Sequence, residues 1–428
     1  SFDPGAPPDC TNDYVVFGLA VAGTTGGHAN LVAFNNLYSD PVNGGGLCDP
    51  PNGPGLTVMF AYNVTTAAGG KIVTSPILSE DGKKIGFVES LAGTAKFHVL
   101  TWTAGQGTLT NAAPPTMTEV TFSATANSTS SSPWIDYGSD TAYLGSDKGL
   151  MYKLTGVFKG TPTPAGAPWP VPVSNNLHLT PPVLDASLGK LMVGSANGSL
   201  YRIDTTTGVL TTLAVGSGPT NGIVAAPIVD ITNGTTFVVS ANDGTSGVLV
   251  EVDTATMTQL AKARIGLASH SGTAIHLYEP AFSNDYYNNP STGVIRTCGT
   301  GAADTTPWQY SFGFTGRTMK TVASFSQQLL VSTVARCTAF TEFFNPNVGA
   351  GGMDYFFFGL TQDCTGAGAV GGCVAETTGD TAATTATVDG GPSGIVVDNY
   401  STAAQASSIY LTAEKINTAY KFTQNGLQ

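Results

Sequence analysis

Four segments of this chain carry an aspartate three residues after the opening of a short apolar run. They are Asp136 in Pro133-Trp134-Ile135-Asp136, Asp185 in Pro182-Val183-Leu184-Asp185, Asp230 in Pro227-Ile228-Val229-Asp230, and Asp398 in Ile395-Val396-Val397-Asp398. Carboxylates recurring at one repeat position can ring a channel mouth and attract a cation. The competing role is structural, because an aspartate at a strand end caps the following turn through the local backbone, and this role is favoured. His270, His276 and Glu279 form H-x5-H-x2-E. That spacing suits neither a strand, where ligands recur at i, i+2, nor a helix, where they recur at i, i+3 or i+4. Asp285 lies in the oxygen-rich run Ser283 to Pro290, which has one carboxylate among neutral donors and lacks the alternating acidic pattern of a dedicated calcium loop. No cofactor is expected: calcium at the Asp285 loop is the one these residues would admit, and His270, His276, Glu279 and Asp285 are only weak candidates for an unspecified metal. His28, His98 and His178 read as isolated surface or packing residues. There is no G-x-S-x-G elbow and no Cys–His pair, so no catalytic residue is assigned; a carboxylate pair assembled across repeats would not show in spacing.

Six cysteines occur, Cys10, Cys48, Cys298, Cys337, Cys364 and Cys373, without CxxC or CxxCH spacing. Zinc ribbons and c-type haem are therefore excluded. Clustering along the chain suggests Cys10–Cys48, Cys298–Cys337 and Cys364–Cys373, although six cysteines allow about fifteen connectivities. Such bridges imply an oxidising compartment. The aromatic residues are uneven: 16 of the 39 Phe, Tyr and Trp fall in 276–360. Packing between sheets accounts for most of these. Tyr286, Tyr287 and Phe344 are left as candidates to stack on sugar or meet a protein partner.

The elements that must position these residues come from a repeat. Thr141–Leu154, Leu191–Asp204 and Phe237–Asp253 each follow an opener and read as strand, glycine-containing hairpin turn, and strand of alternating polarity. Asn197-Gly198 and Asp243-Gly244 supply the positive φ of a tight hairpin. A fourth strand fits at Val209–Leu213. Equivalent openers stand at Pro76, Pro133, Pro182, Pro227, Pro280, Ala339 and Ile395, about 50 residues apart, as in a β-propeller with four strands per blade. The expected fold is all-β, a single β-propeller over 1–428 with four-stranded antiparallel blades. Seven blades are favoured, with eight as the alternative, since Asp13–Leu19 and Ala29–Asn35 also read as strands. Residues 1–73 provide N-terminal closing strands and a hairpin, 74–390 the repeated blades and 391–428 the C-terminal closing strands. Thr57–Tyr62 is expected to complete the last blade and close the ring, which removes exposed sheet edges.

The run GSANGSLYRIDTTTG (194–208) resembles the repeat of quinoprotein-type, pyrroloquinoline-quinone-like propellers, and LSEDGKKIGFV (78–88) resembles that of Tol-Pal-type propellers. The resemblance covers 74–255 well and the remainder loosely. It implies blades more than activity. Quinoprotein enzymes carry a tryptophan in the outer strand of most blades, whereas Trp102, Trp134, Trp169 and Trp308 share no blade position, so quinone-dependent chemistry is not implied.

Composition narrows the function. Lys and Arg number 17 against 29 Asp and Glu, a net charge of −12, and only 11% of residues are charged. Such a chain cannot supply the cationic contacts of nucleic-acid binding, an anionic membrane surface would repel it, and the longest uncharged apolar stretch, Tyr14–Gly23, is too short to insert. The chain opens without Met, consistent with a removed signal peptide. The expectation is a secreted, extracellular, periplasmic or cell-surface propeller, non-catalytic, serving as a binding module or structural building block. Its partner would be a protein or another copy of itself, with carbohydrate as a further ligand class. The alternative is an extracellular hydrolase or lyase with its site at the channel mouth.

Overall fold

The computed structural model describes residues 7–40, 46–48, 55–217, 222–266, 277–300, 307–329, 336–346, 348–349, 351–362, 364, 371–380, 384–398, 407–416 and 418–423. Among them the strands form eight antiparallel sheets, each a meander in chain order, with two short strands sharing the outer position of the third and of the sixth. The chain is a β-propeller repeat protein, and the count is eight rather than the favoured seven. Contacts divide it into two compact units, one holding 1–184, 205–208 and 400–407, the other 185–204, 209–399 and 408–428. The first three sheets lie in the first unit. The fourth opens at the boundary, and the last four belong to the second unit.

The extra sheet is the first: Val15–Gly18, Leu31–Asn35 and Thr57–Tyr62 pair in that order. Thr57–Tyr62 therefore does not complete the last sheet, which consists of Val396–Asp398, Ser408–Thr412 and Ala419–Thr423. Along the open edge of Thr57–Tyr62 runs the connection 105–113 of the second sheet. Ala61 N–H donates to the Gln106 carbonyl at 2.8 Å and Ala113 N–H to the Ala61 carbonyl at 3.0 Å. Unpaired backbone groups on an edge are costly or sticky, and this loop fills the place of a fourth strand.

The strands follow from their sequences. Second strands such as Thr141–Gly145 and Thr235–Ser240 are buried throughout, so they read as unbroken apolar or small-residue runs. Outer strands such as Met117–Ser123 mix exposed with half-buried positions. The turn from second to third strand needs glycine for two reasons. Gly149 (φ +76°) and Gly198 (φ +81°) lie in the left-handed region, and a Cβ at Gly149 would fall on the Ser174 carbonyl. Apolar side chains from neighbouring sheets interdigitate: Phe97 with Ala142, Leu144 and Leu154 in the first unit, and Phe237, Val239 and Leu249 with Ile295, Phe312 and Phe314 in the second.

Candidate functional site

In a four-stranded meander the first and third turns share one end of the sheet. Contacts in the second unit knit these ends into one surface. Tyr286 O–H in the first turn of the sixth sheet donates to Asp230 Oδ2 at the first turn of the fifth (2.6 Å). Asn284 N–H donates to Asp354 Oδ1 where the second strand of the seventh sheet begins (3.0 Å). Arg317, in the third turn of the sixth sheet, reaches the Asn233 carbonyl and Asp253 Oδ2 of the fifth. Arg202 Nη1 on the fourth sheet donates to the Thr254 carbonyl of the fifth at 2.9 Å. Along this surface one large apolar side chain stands out at the first turn of each successive sheet: Leu188, Ile231, Tyr287 and Met353, exposed by 41, 49, 70 and 37%.

The repeat aspartates sit at the same kind of turn. Asp136 accepts from Gly138 N–H and Ser139 O–H, Asp185 from Ser187 O–H and Leu188 N–H, and Asp230 from Asn233 N–H, Asn233 Nδ2 and Tyr286 O–H. Each carboxylate is occupied by the turn it closes. Asp398 ends the opening strand of the last sheet and is buried. Behind Asp230 lies Glu251, which is fully buried. Its Oε2 accepts from Met319 N–H at 2.6 Å, while Oε1 has no protein partner. Burial pushes this carboxyl up to about 7, the nearby Arg317 charge opposing and the Asp230 charge adding to the effect. Spacing gave no sign of Glu251, because a buried carboxylate in an alternating strand looks like a solvent-facing one.

Of the weak metal ligands, His270 and His276 lie outside the described residues. Glu279 is half-buried and accepts from Ala226 N–H at 2.7 Å. Asp285 falls in the first turn of the short helix Asn284–Asn288. Among the described residues no group of three or more His, Cys, Asp or Glu is placed to hold a metal. Among the aromatic candidates, Tyr286 is only 1% exposed and stacks on Phe282 at 4.0 Å. Phe344 is half-buried over Gly352. Tyr287 alone faces outward. The structure joins Cys10 to Cys48, Cys298 to Cys337 and Cys364 to Cys373, with Cα separations of 5.4, 6.2 and 5.9 Å.

Two histidines expected to stand alone are paired in the first unit. His98 Nε2 meets Glu89 Oε2 at 3.0 Å, both side chains essentially inaccessible. Glu89 also accepts from Thr66 N–H and Thr66 O–H, and these partners outweigh burial and hold its carboxyl below the usual range. Sealed from solvent, this pair is structural. His178 Nδ1 meets Asp147 Oδ1 at 3.0 Å and is half exposed, its pKa raised by that hydrogen bond. A nucleophile would have to approach the other ring nitrogen. The neighbouring Thr129 hydroxyl instead donates to Asp147 at 2.9 Å, so it is not activated. A cleft of about 580 Å³ in the same unit is lined by Pro7, Asp9, Asp13, Asp81, Lys83 and Trp102 among others. Asp9, Asp13 and Asp81 each accept backbone N–H bonds within its walls.

No family model and no curated protein sequence matches the chain. Solved structures do. BamB from Moraxella catarrhalis aligns over 96% of this chain and 98% of its own, at 15% identity and a TM-score of 0.53. The computationally designed Ika8 protein aligns over 96% of each chain, at 10% identity and a TM-score of 0.48. At 15% identity the likeness to BamB is one of fold, consistent with the β-propeller built above.

Proposed function

We propose that this chain is a secreted, non-catalytic β-propeller that binds a protein partner through the turn surface of its fourth to seventh sheets. The observation that carries the reading is the succession Leu188, Ile231, Tyr287 and Met353. One apolar side chain is presented by each of four consecutive first turns, on a framework locked by Tyr286–Asp230, Asn284–Asp354 and Arg317. Surface apolar residues scattered singly need no explanation, but a run along one rigid edge marks an interaction surface. Aromatic anchors within polar surroundings are how such surfaces gain affinity. Three disulfides suit an oxidising, extracytoplasmic compartment. Among the described residues no helix is long and apolar enough to cross a membrane.

The test is site-specific photo-crosslinking in the producing cells. A photoreactive residue replaces Ile231 or Tyr287, and in a control it replaces Thr245, exposed on the second turn of the fifth sheet. The reading expects one discrete adduct from the first two positions, none from Thr245, and its loss in the Leu188→Ser, Met353→Ser double variant. Equal capture at Thr245, or no adduct from either turn position, would refute it. An adduct of twice the chain mass would identify the partner as a second copy and so favour the building-block form of the same function.

A further inference from the structure

We propose that the sixth and seventh sheets enclose an internal hydrated site, a cluster of ordered water molecules held by Arg296, Gln309, Ser311, Gln327 and Glu342. Strand register brings the first four of these residues together, and Glu342 lies on the seventh sheet, whose face they meet. In the sixth sheet Arg296 lies opposite Ser311, Cys298 opposite Gln309, and Gln309 opposite Gln327. Directly paired residues share a face, as do residues two apart on a strand. All four polar side chains therefore project from one face. That face is set against the seventh sheet: the Arg296 guanidinium lies 4.9 Å over the Phe356 ring and donates to Asp380 Oδ1 at 2.8 Å. Glu342 is the residue opposite Phe356.

The hydrogen-bonding account of this interface does not close with protein groups. Arg296 is 3% exposed and Gln309 and Ser311 are fully buried. Yet Arg296 Nε and Nη1, Gln309 Nε2 and Oε1, Ser311 Oγ, Gln327 Oε1 and Glu342 Oε1 are buried without a protein partner. A buried polar atom left unsatisfied carries its full desolvation penalty. Seven such atoms, on three strands of the sixth sheet and one of the seventh, are more than a marginally stable fold can leave bare in one interface. The orphaned set mixes donors with acceptors, which identifies the occupant's chemistry. An anion would meet the carboxyl groups of Glu342 and Asp354, and a cation would meet Arg296. Water donates and accepts, and each buried molecule bridges about 2–4 groups, so a small cluster satisfies the whole set. Phe340, Phe356 and Phe358, with the Cys298–Cys337 bridge, form the apolar part of the same interface and keep the cluster from exchanging freely.

Two measurements on the whole protein test this. A high-resolution crystal structure should show waters within hydrogen-bond distance of Gln309 and of Arg296 Nε. Water magnetic relaxation dispersion should count fewer long-lived waters in the Gln309→Met, Ser311→Ala double variant than in the parent. Should that variant fail to fold, the crystal structure of the parent decides alone. A dry interface in which Arg296 and Gln309 pair directly with protein groups, or an ion in place of water, would overturn the proposal. So would an unchanged count of long-lived waters in a folded variant.

Discussion

Replacing Glu251 with glutamine should make this protein more stable at alkaline pH while changing little in mild acid. Glu251 is fully buried, and burial moves its carboxyl from the ordinary 4.5 to about 7. Below pH 4.5 the group is protonated in folded and unfolded chains alike. Between 4.5 and 7 the unfolded chain has released the proton and the folded chain still holds it, so stability falls as pH rises through this window. Above 7 both forms are ionised and the full penalty stands. The distance from 4.5 to about 7 corresponds to about 3 kcal/mol at 1.36 kcal/mol per tenfold change in proton affinity. Glutamine keeps an acceptor for Met319 N–H and carries no proton to lose. The variant's advantage should therefore grow by about 3 kcal/mol from pH 4.5 to pH 8. With an unfolding entropy of about 2.1 cal/mol/K per residue, that is a rise of about 3–4 °C in its Tm relative to the parent. Calorimetric melting of both proteins across this range at fixed salt reads the difference. A gap that is flat with pH, or that narrows toward pH 8, would refute the assignment of a buried proton to Glu251.

Glu89→Gln tests the opposite sign. Its carboxyl lies below the usual range in the folded chain, so the stability it contributes is present above about pH 4.5 and disappears as pH falls through the folded value. Denaturant titration should find the variant about 1.5–3 kcal/mol less stable at pH 7, the usual worth of hydrogen bonds to a charged group, because a neutral amide replaces the carboxylate that accepts from Thr66 and meets His98, and the gap should close in acid; a gap that widened in acid would reject the pairing. Phe97→Ala removes a fully buried ring lying against Gly86 between the second and third sheets and should cost about 3–5 kcal/mol. Leu109→Ala, at a side chain 47% exposed, should stay within about 0.5 kcal/mol, and equal losses at both positions would contradict the packing described.

The blades were readable because the repeat sets an opener before a short apolar strand about every 50 residues, reinforced in the clearest units by an aspartate at the strand's end and a glycine in the next hairpin. All seven openers stand at the first strand of a sheet. The first sheet escaped that count because a long connection, not a tight glycine hairpin, joins its second strand Leu31–Asn35 to its third, Thr57–Tyr62. Its fourth position is filled by 105–113 from another sheet, a pairing no local pattern displays. Cysteine proximity along the chain matched the bridges because each closes a local loop. The carboxylate and histidine pairs were hidden for a different reason. Glu89 meets His98 only through the register that sets Phe87 opposite His98 and Glu89 opposite Lys96. Asp147 meets His178 across 31 residues of intervening chain. Register and turn contact, rather than residue type, create both pairs.

Neighbouring residues in the sixth sheet's first turn show how this architecture separates stability from recognition. Tyr286 and Tyr287 are chemically identical and adjacent, yet Tyr286 is sealed against Phe282 and Phe314 with its hydroxyl on Asp230, and Tyr287 stands 70% exposed. The short helix Asn284–Asn288 produces the difference, since one step along a helix turns the side chain by about 100°. Tyr286 thereby ties the turn to the preceding sheet while Tyr287 faces outward. Sheets packed face to face spend their apolar side chains on one another, and only the turns at their ends can vary without loosening that packing. The proposed binding surface accordingly lies on those turns, where an exposed residue such as Tyr287 contributes little to the fold that presents it.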